Sequence, residues 1–110
     1  MKLFLLTLLA SLSLASTDVY PPKEAYNEFV FIATSDYHCN LYIELAGQNL
    51  EAMADAESTL DTKQLKEALN QFMYNSSKAI SICIYIDEQT TAEIVEIQNS
   101  ISYYYYKNYK

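Results

Sequence analysis

A chain of 110 residues with 14 acidic side chains against 7 lysines and no arginine carries a formal charge of −7. That balance argues against nucleic acid and against anionic membrane surfaces, both of which call for cationic side chains. One glycine and two prolines leave little room for linkers, so regular structure should fill one small domain.

The chain opens on what reads as a secretory signal peptide, residues 1–15. Lys2 supplies the positive end, Leu3 to Leu14 the apolar stretch, and Ser13-Leu14-Ala15 the small residues flanking a cut after Ala15. The expected product is exported, to a periplasm or to the extracellular space, and it associates with a membrane only if the leader is not cleaved. Residues 16–27 follow as a flexible lead-in containing Pro21-Pro22. Residues 28–110 then form a single domain.

Within that domain, Phe29-Val30-Phe31-Ile32-Ala33 is a short β-branched and aromatic run that predicts a buried strand. Thr34 to Asn40 holds turn formers, and Leu41, Ile43 and Leu45 alternate with Tyr42 and Glu44 as in a half-buried second strand. Gly47 closes this hairpin. Gln48 to Leu60 is acidic and alanine-rich, and reads as one short helix capped by Asn49 or as a surface excursion. Asp61 with Gln64 has capping-box spacing, and Leu65, Leu69, Phe72 and Met73 continue on one helical face until Asn75-Ser76-Ser77. Ile80, Ile82, Ile84 and Ile86 occupy every second position, a third strand with one aliphatic face. Thr90 and Glu93 suggest a second capping box, and Ile94, Ile97, Ile101 and Tyr105 carry a helix almost to the end. The expected fold class is therefore α+β: a β-hairpin, then helix–strand–helix, with helices on one face of one sheet.

Two cysteines remain, Cys39 and Cys83. In an oxidising compartment a single intramolecular disulfide is the expectation, and two buried free thiols the alternative. His38 stands alone between Asp36 and Cys39, too few ligands for a metal site. Adjacent His38 and Cys39 cannot form a nucleophile pair on a strand, whose neighbours point apart. Asp87-Glu88 could perform acid–base work but fit a helix N-terminus more simply. With no phosphate loop, Ser-His-Asp set or Cys-x-x-Cys, the sequence predicts neither catalytic residues nor a cofactor. Asn75-Ser76-Ser77 is a glycosylation sequon, meaningful only in a eukaryote, at a helix end expected to be exposed. Tyr103, Tyr104, Tyr105, Tyr106 and Tyr109 crowd the last turns. They cannot all face one core, so they predict either a docking surface for a protein partner or second copy, or a frayed terminus.

The run Asp61-Thr62-Lys63-Gln64-Leu65-Lys66-Glu67-Ala68-Leu69, the strand Ile80–Ile86, and Thr90 to Ile101 with its Ile97-Gln98-Asn99 step resemble the periplasmic domain of the ExbD/TolR family. That resemblance implies a non-enzymatic domain of an energy-transducing envelope complex, with Phe29–Ala33 and Leu41–Leu45 as the opening hairpin. The family's transmembrane aspartate has no counterpart in Leu3 to Leu14, so no proton-conducting residue carries over. The functional expectation is an exported, non-catalytic domain acting through protein–protein contacts, with a secreted, disulfide-stabilised binding module for an extracellular ligand as the alternative.

Overall fold

The computed structural model describes residues 21–109, so the leader and residues 16–20 lie outside the described residues. It contains α1 (Pro22–Phe29), α2 (Tyr37–Ser58), α3 (Thr62–Cys83) and α4 (Glu88–Tyr109), the last three of 22 residues each. No strand occurs among the described residues, which overturns the α+β expectation. Residues 22–27, expected in the lead-in, are also corrected. Pro22 starts α1 at a position where its missing N–H is no loss, and Pro22 and Ala25 are buried.

In α2 and α3 small side chains share the buried face with large ones, so the strongest aliphatics alone do not mark it. In α2 the buried stripe is Cys39, Ile43, Ala46, Leu50, Met53, with alternating steps of four and three. Leu41 and Leu45, read as strand partners of Ile43, are only half buried in this helix. In α3 the stripe is Leu65, Ala68, Phe72, Ser76, Ala79, Cys83. The alternating isoleucines straddle its end, with Ile84 and Ile86 exposed in the connection to α4. Every second isoleucine of the run, Ile80 with Ile84 and Ile82 with Ile86, is also an i,i+4 pair, so the pattern can be read in either period. Of the Phe29–Ala33 run, Phe29 ends α1 and the rest turns toward α2.

Capping explains the boundaries. The Asp36 carboxylate accepts from Cys39 N–H at 2.9 Å to start α2, and Asp61 accepts from Gln64 N–H at 3.0 Å to start α3, as its spacing predicts. The α4 cap is Asp87, which accepts from Thr90 N–H at 3.1 Å, and not Thr90 as the sequence suggested. Between α2 and α3 the chain reverses in three residues. Asp61 N–H reaches Ala56 C=O, and Leu60 N–H reaches Glu57 C=O, a Schellman closure. Leu60 holds the left-handed position at φ 58°, where glycine is usual. The lone glycine is elsewhere: Gly47 lies buried in α2 against Phe29, and a Cβ there would meet Phe29 Cδ1 at an ordinary 3.7 Å.

Antiparallel α2 and α3 make the main pairing, with α4 folded back along α3 and α1 laid against α2 and α4. Phe29 and Phe72 meet edge to face at 6.1 Å, tying α1 to α3. Phe72, Leu50, Met53, Ile94 and Ile101 are essentially fully buried. Each contributes about 1.5–3 kcal/mol of hydrophobic stabilisation before the entropy of ordering is counted.

Candidate functional site

The two ends of the bundle differ in chemistry. At the end holding the α2–α3 turn, the tyrosine-rich last turns of α4 fold onto α2. Tyr104 and Tyr109 both donate their hydroxyl to the same Glu57 Oε2, and the Tyr105 and Tyr109 rings stack at 5.6 Å. Burial raises the Tyr104 phenol above its ordinary value, and the Glu57 carboxylate adds to the rise by accepting its proton and repelling a phenolate. Tyr109 is raised by the same causes in the same order. The five tail tyrosines therefore divide: Tyr104, Tyr105 and Tyr109 serve the fold, while Tyr103 and Tyr106 are more than half exposed. Beside them an open groove of about 390 Å³ is lined by Thr62, Lys63, Leu65, Lys66, Tyr105 and Tyr109.

A polar layer crosses the middle of the bundle. The side-chain amides of Asn49 and Asn75 pair at 2.7 Å across α2 and α3, and Gln98 of α4 donates to Ser76 Oγ at 2.8 Å and Ser77 Oγ at 3.0 Å. Such pairs fix helix register, because sliding one helix would leave buried polar groups unpaired. This also corrects the sequon. Asn75 sits in mid-α3, only 8% exposed, where the helix was expected to end in solvent. A glycan on its amide could not coexist with the Asn49 pairing and this helix seam.

At the opposite end Cys39 and Cys83, both fully buried, lie at disulfide distance with Cα atoms 5.1 Å apart. They span the open end of the α2–α3 hairpin. Exposed apolar residues flank them in the chain, with Tyr37 before Cys39 and Ile84, Tyr85 and Ile86 after Cys83, and Val30 and Phe31 are exposed in the connection from α1. Phe31 is 86% exposed and Tyr85 89%. Phe31 also borders a groove of about 210 Å³ between α1 and α4, lined by Glu28, Ile32, Glu93, Glu96 and Ile97.

Compared with known families, curated proteins and solved structures, this chain finds no match. Its reading therefore rests on the geometry alone. His38 lies exposed in the first turn of α2, its ring edge to face with neighbouring Tyr37 at 5.3 Å. Asp36, expected beside it in a loop, is occupied as the helix cap. No group of three or more potential metal ligands occurs among the described residues, and no described helix is long and apolar enough to cross a membrane. Asp87 is held below its ordinary value, chiefly by the Thr90 N–H and then by the Thr90 hydroxyl, as befits a helix cap.

Two groups of residues escaped the sequence reading. Glu57 falls one helical turn after Met53, half buried beside the stripe of α2, and a carboxylate there signals a need for donors. Phe31 and Tyr85 fell within expected strands, and both lie instead in the connections that follow α1 and α3, almost wholly exposed.

Proposed function

We propose that this chain is an exported, non-catalytic helical domain that works through protein–protein contact. The observation that carries the reading is the set of apolar side chains left exposed: Tyr37, Ile84, Tyr85 and Ile86, which flank the cysteine pair in the chain, and Phe31 in the connection from α1. Clustered exposed apolar side chains are a standing aggregation risk, and in a folded protein they commonly mark a surface that a partner covers. Export is supported by the leader at residues 1–15 and by two cysteines placed to cross-link, a pairing that oxidising compartments maintain. The ExbD/TolR resemblance adds no residue to this proposal, because the strands on which it was read are helical or turn. A secreted binding module for an extracellular ligand is the second reading. It is favoured by the open polar groove of about 460 Å³ along α2 and α3, where Asn49, Gln64, Asn70 and Gln71 offer hydrogen bonds.

The test is size-exclusion chromatography of the exported protein taken from its native medium without concentration. Protein–protein contact predicts elution above the size of a single chain, and return to the monomer position when Phe31 and Tyr85 are replaced by serine. Wild-type protein running as a monomer would refute the proposal.

A further inference from the structure

The groove between α1 and α4 combines two surfaces that rarely coincide without use. Its floor is apolar: Ile32 and Ile97 are 8% and 5% exposed, and Phe31 stands beside them almost wholly in solvent. Its walls are acidic, with Glu28 from α1 and Glu93 and Glu96 from α4. None of these three carboxylates forms an ion pair among the described residues. Glu93 only accepts from Gln89 one turn earlier, at a long 3.4 Å. Before α4 begins at Glu88, exposed Ile84, Tyr85 and Ile86 lie in the connection that follows Cys83.

We infer that this groove docks a basic amphipathic segment of a partner protein, its apolar side chains over Phe31, Ile32 and Ile97 and its Lys or Arg side chains on Glu28, Glu93 and Glu96. The inference rests on the protein-contact proposal above and names the partner's chemistry. Charge selects the occupant. A second copy of this chain would bring another strongly acidic surface against three carboxylates, and like charges across an interface are disfavoured. Anionic lipid and nucleic acid are repelled for the same reason. A cationic segment is attracted over a distance, gains three charge pairs at the rim, and covers Phe31, which water now meets.

The experiment titrates the full mature chain against a fluorescein-labelled peptide of about 14 residues with leucine and lysine on opposite helical faces, read by anisotropy. Binding is expected in the micromolar range at low salt, typical of a small, charge-steered contact, and to weaken about tenfold at high salt. The E28Q/E93Q/E96Q variant should lose about tenfold, three rim pairs each contributing a small factor. Phe31→Ser should weaken binding comparably. All four positions are exposed or half exposed, so these variants keep the fold. A control, E51Q/E67Q, removes carboxylates from other faces and should bind as wild type.

Equal affinity in E28Q/E93Q/E96Q and wild type would overturn the inference, as would equal losses in the control or equal binding of a peptide with glutamine in place of lysine. If the exported protein still elutes as an assembly while the peptide does not bind, the groove is refuted and the broader proposal stands. A monomeric elution removes both.

Discussion

Replacing Cys39 and Cys83 together by alanine isolates what the cross-link does. Both side chains are fully buried, so alanine fits either site without strain and leaves only the space of the two sulfur atoms, a smaller added cost. The larger effect falls on the unfolded chain, in which residues 44 apart in sequence are no longer held together. Loop-closure entropy for a ring of that size amounts to about 4 kcal/mol at 25 °C. A domain this small holds only about 5–15 kcal/mol of total stability, so the loss is a large fraction of it. Urea unfolding followed by far-ultraviolet circular dichroism should show the midpoint fall sharply. The slope should also rise, because an unlinked chain exposes more surface when it unfolds. A stability change below about 1 kcal/mol, with the slope unaltered, would mean that the unfolded chain stays compact at this seam without the bond. The entropic reasoning would then be wrong for this protein.

Two other perturbations follow from the turn and the tyrosine clasp. Leu60→Gly should raise stability by about 1 kcal/mol, measured by the same urea titration, because it removes a side chain from a left-handed backbone position where Leu60 is almost wholly exposed. A destabilised variant would show that the Leu60 side chain contributes more than its strain costs. Tyr104 and Tyr109 have folded-state values raised above the unfolded one, so the folded chain holds their protons more tightly. Their contribution is fully present below about pH 10 and is lost as pH rises beyond it. Thermal melts across pH 8–12 should therefore show a fall in Tm beginning near pH 10. Tyr104→Phe should lower Tm slightly at neutral pH and flatten that alkaline fall. An unchanged alkaline slope in the variant would place the titration elsewhere.

The helices with large residues on their buried faces were legible from the sequence. Asp61 with Gln64, then Leu65 and Phe72, located the start of α3, and Ile94, Ile97 and Ile101 located the stripe of α4. The misreadings occurred where the buried face is made of small residues. Ser76, Ala79 and Cys83 let α3 approach α2 closely, while isoleucines of greater hydrophobicity lie to either side and at the helix end. An alternating reading follows the strongest apolar residues, and here those residues do not mark the core. Gly47 misled for the opposite reason, since glycine in mid-helix was taken as a terminus and the real terminus uses Leu60. Of the candidate surface, the tyrosine tail was visible in composition. Its division into Tyr104, Tyr105 and Tyr109 inward and Tyr103 and Tyr106 outward depends on Glu57, a tertiary partner 47 residues from Tyr104 that no local pattern announces.

A hairpin whose reversal rests on one strained residue has a rival conformation. Were Leu60 to relax into right-handed backbone, α2 and α3 would join into one continuous rod, and two chains could exchange halves so that each α2 packs on the other chain's α3. In that rod Cys39 and Cys83 of the same chain would stand about 66 Å apart, at 1.5 Å per residue. A bond within one chain and the exchanged dimer therefore exclude each other. Oxidation before two chains meet commits each to its own hairpin, whereas oxidation afterwards would lock the exchange through two intermolecular bonds. The order of folding, encounter and bond formation, rather than equilibrium stability alone, would decide which molecule emerges.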